Sequence, residues 1–149
     1  MDSRLDEFAT FVNAALRMMT RLNKAEIFTG QGITPVAWLS LRTISEAGTC
    51  SPRILVNRLG MTRQRVGQIL DTLKAKDLVL VTPAEGEGRQ ITIALSPSGE
   101  AMLAHLDTAL GAELEEALGA KAEAGLSRAS KLTGRLTQTF TKADGAASS

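Results

Sequence analysis

Between residues 62 and 68 the chain reads Thr62, Arg63, Gln64, Arg65, Val66, Gly67 and Gln68. Such side chains read nucleic-acid edges: glutamine pairs with adenine through two hydrogen bonds, arginine with guanine, and a glycine lets a helix backbone approach closely. Other chemistry is thinly provided. The 149 residues hold one His, one Cys and no Tyr, so the usual His/Cys zinc set is out of reach within one chain. No base and nucleophile stand at a recognisable spacing, and one cysteine cannot close an internal disulfide. The expectation is a binding protein with no metal and no cofactor, and not an enzyme.

To act together, these side chains must share one solvent-facing side of a helix. Val66, Ile69, Leu70 and Leu73 form an apolar stripe within a helix running from Thr62 to about Lys76. At about 100° per residue, that stripe leaves Gln64, Gln68 and Asp71 facing outward, with Arg65 and Gly67 flanking them. Arg63 lies in the first turn nearer the packed side, where it suits a phosphate better than a base. Asp71 is a cost beside a polyanion and receives no role. A short helix over 52–58 precedes, closed by Leu59-Gly60, and Leu55, Leu59 and Met61 complete a small core. The layout is a helix-turn-helix.

The surrounding elements are read from punctuation and period. Thr34-Pro35, Ser51-Pro52 and Ser96-Pro97 each place a capping hydroxyl before a proline at the first helical position. Leu5, Phe8, Val12, Ala15, Met19 and Leu22 mark an amphipathic helix over about 4–27, ended by Gly30 and Gly32. A second helix runs from Pro35 to near Gly48. After the fourth helix the period becomes alternating: a strand over 79–82, a turn over 83–88 and a return strand over 90–95. This hairpin makes the helix-turn-helix a winged one, with Arg89 beyond a Gly-flanked turn as a minor-groove or phosphate contact and Glu87 placed to orient it. From Ser96-Pro97, Leu103, Leu106, Leu110, Leu114 and Leu118 extend a long helix; Leu126, Ala129, Leu132, Leu136 and Phe140 continue after an interruption at Gly119 to Gly125.

Composition agrees with a soluble domain: 44% of residues are hydrophobic, 22% charged, and the net charge is +1. No signal peptide or span-length apolar run is visible, so a cytoplasmic location with no membrane partner is expected. Charge is unevenly spread. Residues 51–90 carry seven Lys/Arg against four acids, and residues 97–126 one Lys against six, so a polyanion prefers the middle segment. Cys50 has no charged neighbour between Ala47 and Pro52 to activate it, and His105 has no evident partner.

Four pieces of sequence carry a family resemblance: Thr34-Pro35; Leu55-Val56-Asn57-Arg58-Leu59-Gly60-Met61; Leu73-Lys74-Ala75-Lys76-Asp77-Leu78-Val79; and Glu87-Gly88-Arg89 ahead of Leu95-Ser96-Pro97-Ser98-Gly99. Over about residues 5–140 the chain resembles the MarR family of winged-helix transcription regulators. Three positions depart from the family pattern: Val56 for an alanine, Asp77 for a glycine and Glu87 for an aspartate.

The resemblance implies a mostly α fold with one β-hairpin and a homodimer on a pseudo-palindromic double-stranded DNA operator. Its parts are an N-terminal dimerisation helix (1–32), a winged helix-turn-helix DNA-binding lobe (33–96), C-terminal dimerisation helices (97–142) and a frayed tail (143–149). The DNA contact set is Thr62, Arg63, Gln64, Arg65, Gly67, Gln68 and Arg89. Such proteins have an effector crevice, which Phe11 and Trp38 would line for a small-molecule effector. The rival reading is a helical protein-interaction module whose winged helix no longer binds DNA.

Overall fold

The computed structural model describes residues 2–86, 88 and 90–147, the last six as helical backbone only. The chain divides into two compact units, Met1–Thr108 and Ala109–Ser149. In the first, α1 (Ser3–Lys24) is followed by α2 (Glu26–Thr29), α3 (Pro35–Ala47), α4 (Pro52–Leu59), α5 (Arg63–Ala75), β1 (Val79–Thr82) and β2 (Thr92–Leu95). The helix α6 (Pro97–Leu118) begins there and ends in the second unit, which continues through a 3₁₀ turn (Gly119–Lys121) into α7 (Ala122–Ala147). Among the described residues no helix is long and apolar enough to cross a membrane.

Local chemistry explains most of these boundaries. The Asp2 carboxylate accepts from the Arg4 amide at the start of α1, and the Thr34 and Thr62 hydroxyls accept from Ala37 and Arg65 at the starts of α3 and α5. Ser96 caps α6 by accepting from the Gly99 amide at 3.0 Å. Ser51 differs from expectation: its side chain makes no capping bond, and the start of α4 is set by Pro52. The single helix expected over 4–27 is broken at Ala25, whose backbone turns extended (ψ 136). That break directs Phe28, on α2, into full burial. The return strand is also shorter than expected, starting at Thr92 and leaving Gln90 and Ile91 outside it. The backbone of α7 is helical as far as Ala147, inside the segment expected to be a frayed tail.

The strands pair antiparallel, with Val79 opposite Leu95 and Thr82 opposite Thr92. Cys50 adds a bridge on the other side of β2: its amide donates to the Ile93 carbonyl at 2.9 Å, and the Ile93 amide donates back at 2.7 Å. Period alone could not show this pairing, because it involves a single residue between two helices. The core of the first unit is built from Phe28, Leu41, Ile44, Leu55, Leu73, Ile93 and Leu106, all essentially inaccessible. Of the apolar residues expected to close the helix-turn-helix, Leu55, Val66, Leu70 and Leu73 are buried, whereas Leu59, Met61 and Ile69 are half-buried.

The end of α5 is tied to β1 and α6. The Leu78 amide donates to the Leu73 carbonyl and the Asp77 amide to the Lys74 carbonyl, the paired bonds of a Schellman cap. This geometry places Asp77 at φ 58, the one left-handed non-glycine among the described residues. The Ser96 hydroxyl then donates to the Asp77 carbonyl at 2.6 Å, and the Ser96 amide donates to the Leu78 carbonyl. Gly99 lies so close to that strand that a Cβ would overlap the Leu78 carbonyl oxygen.

Two stability outcomes are expected. Gly99→Ala must force backbone apart from backbone, with a loss of about 1–3 kcal/mol or more in urea unfolding. Asp77→Gly removes the Cβ from a left-handed residue and raises stability by up to about 1 kcal/mol. An unchanged midpoint for Gly99→Ala contradicts the close approach.

Candidate nucleic-acid interface

Leu55 on α4 and Val66, Leu70 and Leu73 on α5 are buried. Gly60 makes the turn between the two helices, in the left-handed conformation (φ 63) with its amide bonded to the Val56 carbonyl. Thr62 then caps α5, so its hydroxyl is engaged with the Arg65 amide at 3.2 Å. With the apolar stripe turned inward, Gln64, Gln68 and Asp71 are exposed along the opposite ridge. Gly67 lies beside this ridge, and a Cβ built on it would meet nothing within 4 Å. Its backbone is open to approach.

The two arginines diverge from the ridge. Arg65, with Gln68, Ile69 and Thr72, lines a groove shared with Asn23, Ile33 and Thr34, about 290 Å³ in volume. Arg63 lines a separate cleft, about 300 Å³, with Pro52, Arg53, Val56, Gln90 and Ile91. Arg53 and Gln90 are additions to the residues that the sequence singles out. Arg53 precedes the apolar run Ile54-Leu55-Val56 on α4, and only the packing of α4 against α5 places it near Arg63. Glu87 and Arg89 lie outside the described residues. Their neighbours Gly86 (φ 82) and Gly88 (φ 72) both take left-handed backbone, the conformation that glycine adopts without strain.

Trp38 and Phe11, expected around an effector crevice, line neither of these clefts. Phe11 is half-buried. Trp38 is held by specific partners instead. Its ring packs against Phe28 at 6.1 Å between centroids and 60° between planes, and its indole N–H donates to Asp107 Oδ1 at 2.7 Å. Arg42 stacks 5.6 Å from the same ring and donates to Asp107 Oδ2 at 3.0 Å. This cluster joins α3 to the middle of α6. His105 also has a partner that spacing did not reveal, with its Nε2 lying 3.2 Å from Gln31 Nε2.

Cys50 is buried, and burial pushes its thiol above the ordinary range. That shift works against the thiolate, the form that reacts. Among the described residues no group of three or more His, Cys, Asp or Glu is placed to hold a metal ion.

Comparison with known proteins agrees with this fold. The family model of the MarR family matches residues 31–90, a span containing α3, the helix-turn-helix and the strand β1. No curated protein matches the chain. Among solved structures, a MarR/EmrR family transcriptional regulator from Acinetobacter sp. ADP1 is 20% identical, with 95% of this chain and 99% of that one covered and a TM-score of 0.72. Staphylococcus aureus MarR in complex with salicylate and kanamycin is 18% identical over 93% of each chain, with a TM-score of 0.72. An E. coli MarR variant complexed with operator DNA is 24% identical, covering 87% of this chain and 93% of that one at a TM-score of 0.65. Over residues 31–90 the chain matches the MarR family, and the fold it builds is that of the MarR-type winged-helix transcription regulators.

Proposed function

We propose that the protein is a cytoplasmic, sequence-specific DNA-binding transcription regulator, acting as a homodimeric repressor on a pseudo-palindromic operator and relieved by a small-molecule effector. The observation that carries this reading is the solvent face of α5: Gln64, Arg65 and Gln68 exposed beside an open glycine backbone, on a helix whose other side buries Val66, Leu70 and Leu73. Exposed glutamine and arginine on one helix face suit the edge pattern of a major groove. Arg63, on the flank, is assigned to a phosphate, and Arg89 to the wing contact. The E. coli relative crystallised with operator DNA is consistent with this use of the fold, and the S. aureus relative holds small molecules.

Dimerisation is supported by apolar side chains that a single chain leaves in water. On α1, Leu5, Leu16 and Met18 are 65%, 64% and 60% exposed, and no residue of that helix is buried. Leu114, Leu118, Leu126 and Leu132 are exposed on α6 and α7. Helical stripes of this kind are stable when a second helix surface covers them. Two copies would set two α5 helices about one DNA turn apart, roughly 34–36 Å. An effector then acts by favouring a spacing that forfeits one half-site.

Selection of bound fragments from random DNA, followed by titration of the selected and a scrambled duplex at several salt concentrations, tests the reading. Arg65→Ala is expected to lose about 1–3 kcal/mol on the selected duplex and to relax preference at one base position. Arg89→Ala weakens both duplexes alike and lowers the salt slope by about 1. Light scattering should report a dimer. A monomer, or a dimer that selects no DNA and retains a protein partner, supports the interaction-module reading instead.

A further inference from the structure

Arg53 in the first turn of α4 and Arg63 at the start of α5 line the same cleft, together with Pro52, Val56, Gln90 and Ile91. Both guanidinium groups belong to exposed residues. Arg42 and Arg58, by contrast, are matched, to Asp107 at 3.0 Å and to Glu46 at 3.7 Å. Among the described residues no carboxylate lies within 4.0 Å of Arg53 or Arg63. Two like charges therefore share one concave surface with no counter-ion among the described residues, and Gln90 adds an amide to the same wall. An anion from outside relieves that repulsion and gains charge-assisted hydrogen bonds, which guanidinium groups make in bidentate fashion to phosphate.

The rest of the lining suggests which phosphate. Pro52, Val56 and Ile91 are apolar walls, which an inorganic ion would leave in water but the sugar carbons beside a phosphodiester can cover. The cleft also lies on the Arg63 flank of α5, off the ridge that carries Gln64 and Gln68. When a helix lies in a groove, the backbone strand bordering that groove runs along such a flank.

We propose that Arg53 and Arg63 jointly seat one backbone phosphate of the bound DNA, with Gln90 as a third donor, so that α4 anchors the duplex while α5 reads it. This assignment rests on the DNA-binding reading above. It makes Arg53 a positioning residue that adds affinity without sequence preference.

The test compares wild type, Arg53→Ala and Arg53→Lys on the selected and scrambled duplexes across a salt series. Thermal unfolding of each variant confirms the fold, since Arg53 is exposed. The expected result for Arg53→Ala is several-fold weaker binding to both duplexes and a log–log salt slope reduced by about 1. Arg53→Lys, which keeps the charge, restores the slope. Unchanged affinity and slope in Arg53→Ala, with wild type still binding, overturn the phosphate seat alone. So does a loss confined to the selected duplex, which marks a base contact. Inorganic phosphate, titrated into the DNA-free protein and followed by amide chemical shifts, separates the remaining source. Tight saturation of the cleft, together with DNA affinity indifferent to Arg53, assigns it to a free phosphorylated ligand and overturns the proposal. Failure of wild type to bind any duplex overturns the regulator reading itself, and the seat with it.

Discussion

The burial of Val66, Leu70 and Leu73 against the floor that includes Leu55 sets the rotation of α5 about its own axis, and the helix's solvent-facing side chains take their directions from it. Each such side chain stabilises the packed orientation by roughly 1.5–3 kcal/mol. Turning the helix by one residue, about 100°, would lift part of this stripe into water and drive a charged or amide side chain toward the core. An unpaired buried charge costs far more than any cap or surface pair can return. The glutamine ridge and the splayed arginines follow from packing, and need no interaction of their own to be held outward.

Rotation alone does not locate the helix, and its far end is fixed by backbone contacts. The Schellman cap at Asp77, the Ser96 hydroxyl on the Asp77 carbonyl and the approach of Gly99 to Leu78 form one junction. Through it the C-terminal end of α5, the first residues of β1 and the first turn of α6 hold fixed positions relative to one another. The family-like run Leu95-Ser96-Pro97-Ser98-Gly99 thus has a physical meaning at three of its positions: Ser96 links the Asp77 and Leu78 carbonyls to the Gly99 amide, Pro97 starts a helix, and Gly99 permits contact. The departure at Asp77 is accommodated because aspartate tolerates left-handed backbone better than most residues, though less well than glycine.

A second tie, between α3 and α6, is built from side chains. The Trp38 N–H to Asp107 bond is short and charge-assisted. The Arg42 to Asp107 pair is partly exposed, with side chains 43% and 35% accessible, so solvent screening leaves it at most about 1 kcal/mol. The contribution of Trp38 comes mainly from its ring area and its contact with Phe28. Spacing suits the same residue equally to a crevice wall, because an aromatic on an amphipathic helix reads alike whether it packs or lines a cavity.

Local interactions were legible in the sequence: the proline and hydroxyl starts of α3 and α6, the Gly60 turn, the stripe of α5 and the change to an alternating period at Val79, because each depends on residues a few positions apart. The outward ridge of Gln64 and Gln68 follows from that stripe by helical geometry alone. The tertiary structure decided the break at Ala25 that buries Phe28, the Cys50–Ile93 bridge, the Trp38–Asp107 and Gln31–His105 pairs, and the convergence of Arg53 with Arg63. The reason is that these arrangements join separate elements of the chain, or depend on how much room the core leaves, and neither spacing nor periodicity encodes which surfaces meet.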